Sequence, residues 1–238
     1  MLKLNQLYNM DCMNGMREFS DKYFDLAIVD PPYGIGESGV RNSSRSKLAK
    51  ARDYPGYYGG DLEPPSSEYF KELFRVSKNQ IIWGANHYIS RMPYDSPCWI
   101  VWDKVNGEND FADCELAWTS YKSAVRKVTF MWHGFLQGKS IDEGNKAQGN
   151  KKLNEKRIHP NQKPVAVYKW LLEKYAKPGY KILDTHVGSA SSLIACMDFG
   201  CDYVGFEIDP YYYSVAKDRV DMERSQIKFL DMITPRSS

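Results

Sequence analysis

Residues 181–207 read KILDTHVGSASSLIACMDFGCDYVGFE, and this pattern predicts a β-α-β unit. Residues 181–184 and 203–207 are predicted as strands, since each has a short apolar core that ends at an acidic residue. Residues 189–199 between them have the composition of a helix, and Gly200 directly after them favours a helix end. Such a unit indicates a parallel sheet with helices packed against it.

The rest of the chain alternates strands and helices in the same way. Further strands are predicted at 4–10, 24–29, 80–83, 98–102 and 115–118, and helices at 13–19, 66–76, 164–176 and 210–223. The 238 residues are 42% hydrophobic and 26% charged, values typical of a globular domain with a real core. We therefore expect an α/β fold and a single domain over residues 1–238.

Composition also excludes several classes of protein. The five cysteines are odd in number and form no C-x-x-C pair, so we expect neither a disulfide framework nor a zinc site, and no other metal. No apolar run approaches the roughly 20 residues that a membrane-spanning helix needs, so we expect no membrane segment. The first residues lack the layout of a signal peptide, which predicts a cytoplasmic location.

The tetrad Asp30-Pro31-Pro32-Tyr33 directly follows the apolar strand at 24–29. An exocyclic amine of a nucleobase is a poor nucleophile, because its lone pair is delocalised into the ring. Acceptors that meet its hydrogens favour the tetrahedral nitrogen and stabilise the charge that develops there. A carboxylate and a carbonyl in a rigid Pro-Pro turn are such acceptors, and a tyrosine ring can stack on the base.

A second candidate site lies in the turn of the β-α-β unit. Gly188 lets the backbone approach a cofactor closely, and Glu207 about 20 residues further on can bind ribose hydroxyls. The pattern G-x-G-x-x-G, which cradles a pyrophosphate, is absent from this turn. S-adenosylmethionine carries no phosphate and does not need that cradle.

The chain resembles the amino-methyltransferases of DNA modification, the N-4/N-6 DNA methylase family. The resemblance rests on these two motifs and on a third segment, His159-Pro160-Asn161-Gln162-Lys163-Pro164. The catalytic motif comes first and the cofactor loop last, as in the β-type members. The resemblance covers about residues 4–35 and 159–222. It implies a Rossmann-like sheet with helices on both faces, S-adenosylmethionine as cofactor, and methyl transfer to N6 of an adenine in double-stranded DNA. Alternatives are N4 of cytosine, for which Ser is more usual at the position of Asp30, a protein or RNA methyltransferase, and a non-catalytic DNA-binding module.

The resemblance also implies roles for individual residues. Those at the catalytic centre are Asp30, Pro31, Pro32 and Tyr33, and those at the cofactor are Asp11, Lys163, Pro164, Asp184, His186, Val187, Gly188, Ser189 and Glu207. Asp11 can alternatively cap the following helix, and Pro164 can simply begin one. His186 replaces the usual Phe, Ser191 the usual Thr, and Ala190 the second Gly of the loop. Since alanine strongly prefers φ < 0, we expect a negative φ at position 190.

A basic stretch follows the catalytic motif and is predicted to bind DNA phosphates. Its residues are Arg41, Arg45, Lys47, Lys50 and Arg52, and it contains no acid, although the net charge of the chain is only +2.

We expect a catalytic half at about 1–103, an inserted DNA-recognition region at about 104–158, and a cofactor-binding half at about 159–232. The family often dimerises, so a homodimer is a candidate assembly. His87 and His133 have no partners at ligand spacing and are interpreted as structural.

Overall fold

A computed structural model describes residues 1–36, 61–107, 112–133 and 136–233. The ten strands of these residues are β1 (Gln6–Asn9), β2 (Phe24–Val29), β3 (Ser77–Trp83), β4 (Trp99–Asp103), β5 (Cys114–Thr119), β6 (Arg126–Thr129), β7 (Trp132–His133), β8 (Leu136–Gln137), β9 (Lys181–Asp184) and β10 (Asp202–Glu207). Their five α-helices are α1 (Cys12–Arg17), α2 (Ser67–Val76), α3 (Val165–Tyr175), α4 (Ser191–Phe199) and α5 (Pro210–Ile233).

Eight of these strands form one mixed sheet, in the order β1-β10-β9-β2-β3-β5-β4-β6. The strands from β1 to β3 in this order are all parallel, and β5 runs antiparallel to both β3 and β4. Strands β7 and β8 form a separate hairpin. The α/β class predicted from the sequence is confirmed, and the carboxyl ends of the parallel strands meet at one edge.

The helices cover both faces of the sheet. Along β2, Leu26 and Ile28 lie in the hydrophobic cluster that includes α3, α4 and α5. Ala27 and Val29 alternate with them and lie in the cluster that includes α1 and α2. Because successive side chains of a strand point to opposite faces, a strand buried on both sides reads as a continuous apolar run.

Short-range hydrogen bonds fix where the helices begin. The Asp11 carboxylate accepts a hydrogen bond from the backbone N–H of Asn14 (3.0 Å), so Asp11 caps α1 as the alternative interpretation predicted. Pro164 precedes the first residue of α3, where its missing N–H costs nothing. Neither observation tests the cofactor role of these two residues, which stays a prediction.

The structure corrects three expectations. Ala190 has φ = 64°, so the predicted negative φ is wrong, and α4 begins only at Ser191 rather than at 189. Helix α5 continues to Ile233 instead of ending at 223, because the added residues have good helix propensity. Strands β6, β7 and β8 were not predicted, because β6 (RKVT) has no run of apolar residues and β7 and β8 have only two residues each.

Within the described parts of the chain, no helix combines the length and the apolar character needed to cross a bilayer.

Candidate active site at the carboxyl edge of the sheet

Residues of both predicted motifs lie at the carboxyl edge of the parallel strands. Asp30 follows β2, Asp184 ends β9, Glu207 ends β10 and Asp11 follows β1. Parallel α/β sheets bind their ligands at this edge, because the strands end there and the loops are free to diverge. The fold therefore brings together motifs that are more than 150 residues apart in the sequence.

Asp30 lies in a partly buried polar cluster with Tyr33 and Lys163. The Tyr33 hydroxyl donates to Asp30 Oδ1 (2.8 Å), and the Lys163 ammonium donates to Asp30 Oδ2 (2.5 Å) and to the Tyr33 oxygen (2.9 Å). The Lys163 side chain is only 4% exposed. Sequence reasoning assigned Lys163 to the cofactor; the structure places its ammonium on the Asp30 carboxylate, and a cofactor contact stays a prediction.

Glu115 and Lys104 complete this cluster, and sequence reasoning missed both. Glu115 Oε2 lies 3.0 Å from Lys163 Nζ, while Oε1 forms an ion pair with Lys104. Burial raises the pKa of Glu115, but Lys163 and Lys104 outweigh it and lower that pKa to about 2. The one sequence signal was an acid within the apolar strand predicted at 115–118.

The protonation of the cluster follows from burial and charge together. Burial lowers the pKa of Lys163, but Asp30 and Glu115 outweigh it, so the pKa is raised and the ammonium is retained. Burial raises the pKa of Asp30, while Lys163 opposes that rise. Each Asp30 oxygen already accepts one hydrogen bond and keeps a further lone pair. The carboxylate can therefore accept the hydrogens of an incoming amine.

The ring of Tyr33 is supported by Gly84 and His87. Gly84 has φ = 67°, and a Cβ there would lie 2.0 Å from Cε1 of Tyr33, so no other residue fits without displacing the ring. The exposed imidazole of His87 stacks on Tyr33, with the ring centroids 5.0 Å apart and the planes at 13°. His87, predicted to be structural, thus contacts the catalytic motif.

The turn after β9 is tied to the end of β10. Glu207 accepts a hydrogen bond from the Gly188 N–H at Oε2 (2.8 Å) and from the Asp209 N–H at Oε1 (2.9 Å). Both oxygens keep a lone pair, so the carboxylate can still accept two hydroxyls of a ribose. A Cβ at Gly188 (φ = 52°) would lie 3.7 Å from the His159 ring. The acceptor oxygens of Glu207 fit the ribose of a nucleoside cofactor such as S-adenosylmethionine.

Asp184 organises the same turn from inside. It accepts hydrogen bonds from the His186 backbone N–H (3.0 Å) and from the Ser192 hydroxyl. The residue is 2% exposed, and burial raises the pKa of its carboxyl to about 7. These bonds give Asp184 a structural part in the loop; its predicted contact with the cofactor stays a prediction, as do those of Val187 and Ser189.

His186 is accommodated through its neighbours in place of the usual Phe. Its Nδ1 lies 2.9 Å from the Thr185 hydroxyl, which in turn lies 2.6 Å from the hydroxyl of Tyr69. Burial lowers the pKa of His186 to about 4, so the ring is neutral at pH 7. The Nδ1 atom of His186 therefore has a hydrogen-bond partner, and the neutral ring adds no charge to the site.

An ion pair connects the turn after β9 to Glu155, which precedes α3. Arg219 on α5 donates to the Ser189 carbonyl (2.7 Å) and to Glu155 Oε1 (2.7 Å). Glu155 Oε2 accepts the Val165 N–H (2.9 Å) at the start of α3. Sequence reasoning did not find this contact, since its partners are remote in sequence.

Two further expectations concern binding groups. The predicted DNA-binding residues Arg41, Arg45, Lys47, Lys50 and Arg52 lie outside the described residues. Over 1–36, 61–107, 112–133 and 136–233, no group of three or more His, Cys, Asp or Glu side chains is arranged to hold a metal ion.

The fold is similar to that of a solved DNA methyltransferase and of a protein solved with S-adenosylmethionine. The chain superposes on the M1.HpyAVI structure, solved as a complex with S-adenosylmethionine, with TM-score 0.51 and 19% identity, covering 90% of this chain and 98% of that one. It superposes on the cytosine-N4-specific PvuII DNA methyltransferase with TM-score 0.54 and 11% identity, covering 95% of this chain and 93% of that one. The Rossmann-like methyltransferase fold expected from the sequence is confirmed.

Sequence comparison then identifies the family. The chain is 23% identical to type II methyltransferase M.HpaI of Haemophilus parainfluenzae, over 93% of this chain and 76% of that protein. The family model described as DNA methylase matches residues 77–218, more than half of the chain. The chain belongs to this DNA methylase family, as its motifs predicted.

Proposed function

We propose that this protein uses S-adenosylmethionine to methylate N6 of adenine in double-stranded DNA. The observation that carries the proposal is the Asp30 carboxylate, which Tyr33 and Lys163 hold at the same sheet edge as the Gly188–Glu207 turn. Acceptors for an amine and acceptors for a ribose thus lie at one edge of the sheet. The likeness to M1.HpyAVI, solved with S-adenosylmethionine, supports this cofactor.

The residues divide the reaction between them. S-adenosylmethionine, when bound, supplies an electrophilic methyl group on a sulfonium. Glu207 would hold the ribose, and Tyr33 would stack on the target base. Asp30 and the Pro31 carbonyl would accept the hydrogens of the amine as positive charge develops on nitrogen. Pro32 would keep the turn rigid, so orientation supplies much of the acceleration.

The target base must leave the duplex, since a stacked base cannot reach such a site. Flipping costs a few kcal/mol, which contacts with the DNA backbone would offset. We propose that Arg41, Arg45, Lys47, Lys50 and Arg52 make such contacts. Replacing Arg41, Arg45 and Lys47 together by Ala should weaken DNA binding and flatten its salt dependence; an unaltered salt slope would exclude these three residues.

Adenine is proposed over cytosine because the first catalytic residue is Asp30 rather than Ser. N4 of cytosine is the second candidate, favoured by the likeness to the cytosine-N4-specific PvuII enzyme. The test is to incubate the purified chain with plasmid DNA and S-adenosylmethionine and to analyse the nucleosides by mass spectrometry. N6-methyladenine supports the proposal, N4-methylcytosine replaces it with the second candidate, and cofactor binding without any methylated base contradicts both.

Other expectations are proposals of the same kind. The likeness to a type II methyltransferase supports a role in restriction-modification. A cytoplasmic location in a bacterial or phage-infected cell, a homodimer and the three-part division of the chain also stay predictions.

A further inference from the structure

The Lys163 ammonium is shared between two carboxylates, those of Asp30 and Glu115. This buried ammonium donates to Asp30 Oδ2 (2.5 Å) and to the Tyr33 oxygen (2.9 Å), and it forms an ion pair with Glu115 Oε2 (3.0 Å). Glu115 comes from β5, on the antiparallel side of the sheet, and its other oxygen is held by Lys104. The position of the ammonium thus depends on two carboxylates.

We propose that Glu115 is a positioning residue for methyl transfer: by sharing the Lys163 ammonium, it orients Asp30 and leaves the charge of Asp30 available to the target amine. The proposal rests on the proposed function, in which Asp30 accepts the hydrogens of that amine. Glu115 itself would touch neither base nor cofactor.

The physical reason is the local charge. Glu115 Oε2 offsets part of the charge of Lys163, while Lys104 on the other oxygen of Glu115 brings the formal charge of the four groups to zero. Asp30 therefore does not neutralise Lys163 alone, and more of its own charge is left for the positive charge that develops on the amine, in a site that screens charges weakly. Without the Glu115 carboxylate, Asp30 would be the one carboxylate paired with Lys163, and the ammonium would attract it more strongly. A carboxylate so neutralised is a weaker acceptor for the reacting amine.

The first test compares Glu115→Gln with Glu115→Asp in the full-length chain. The Gln variant keeps the shape and loses the charge, so kcat should fall about 10- to 100-fold, with KM for DNA and Kd for S-adenosylmethionine within about threefold. The Asp variant restores the charge and should lose less than about fivefold in kcat. Equal activity of the two variants, whether both active or both inactive, would overturn the proposal.

The second test uses the pH dependence of kcat, which would not shift if Glu115 had a purely structural role. The titratable groups that face Asp30 from the elements around it are Tyr33, Tyr88, Glu115, Lys163, Tyr168 and Asp184. Since Glu115 raises and Lys163 lowers the pKa of Asp30, the acid limb of kcat should move to lower pH in Glu115→Gln. It should move to higher pH in Lys163→Met. Shifts in the same direction, or none, would contradict the charge argument.

A matched control is Asp103→Asn on β4. Asp103 pairs with the exposed Lys127 at 2.7 Å, in the same sheet but outside the cluster. This variant should keep the wild-type kcat and acid limb; a loss like that of Glu115→Gln would show that any carboxylate lost from the sheet has this effect. If the wild-type protein itself methylates no amino nitrogen, the proposed function fails and the role of Glu115 falls with it; an active wild type that Glu115→Gln matches in kcat overturns the role of Glu115 alone.

Discussion

Replacing Glu207 by Gln tests the cofactor site most cleanly. The Glu207 carboxylate is fixed by the N–H groups of Gly188 (2.8 Å) and Asp209 (2.9 Å), so its remaining lone pairs are preorganised for two ribose hydroxyls. A hydrogen bond to a charged group contributes about 1.5–3 kcal/mol. A carboxamide loses the charge and one acceptor, so the variant should lose about 2–4 kcal/mol of binding free energy.

This loss corresponds to a Kd for S-adenosylmethionine that is about 30- to 1000-fold higher. Isothermal titration calorimetry with S-adenosylmethionine measures it directly and needs no DNA. Because burial raises the pKa of Glu207 and the ionised form binds, wild-type affinity should also weaken as the pH falls through that pKa. The exposed Glu173→Gln is a matched control. A Kd within threefold of wild type for Glu207→Gln would remove Glu207 from the ribose site.

Three further predictions concern the supports of the site. Gly84→Ala should displace the Tyr33 ring, since the new Cβ would lie 2.0 Å from it. We expect kcat to fall at least about tenfold, with an unaltered Kd for S-adenosylmethionine by calorimetry. Normal turnover of this variant would refute the importance of the contact. Ala190→Val should destabilise by more than about 2 kcal/mol in urea unfolding, because a β-branched residue is strained at φ = 64°, whereas Ala190→Gly should stay within about 1 kcal/mol. Burial raises the pKa of the Asp184 carboxyl from an ordinary 3.8 to about 7 in the folded chain, so protonation of Asp184 favours the folded state. This contribution to the free energy of unfolding is full below about pH 4 and is lost as the pH rises through 7. Asp184→Asn should remove that pH dependence from the free energy of unfolding, and an unchanged dependence would assign it to other groups.

The sequence was informative where structure is local. Residues 24–29 and 181–184 were predicted with the bounds that the structure gives, because a strand buried on both faces is apolar throughout. The Asp30–Tyr33 tetrad and the Gly188 turn could be proposed as site motifs because each is a contiguous motif at the end of such a strand.

Contacts between remote residues could not be predicted in this way. Glu115 reaches Lys163 only because β5 inserts antiparallel between β3 and β4, an arrangement that no local pattern encodes. The same holds for Glu155 and Arg219, which are 64 residues apart. The left-handed Ala190 shows the converse, since tertiary packing overrides the local preference of alanine.

The central claim is that the Asp30 carboxylate accepts the hydrogens of the target amine. Single-turnover methylation of DNA by Asp30→Ala, with radiolabelled S-adenosylmethionine at saturation, tests it directly. The account predicts a rate at least about 1000-fold below wild type, with Kd for the cofactor within about threefold. A variant that transfers methyl groups at the wild-type rate would contradict it.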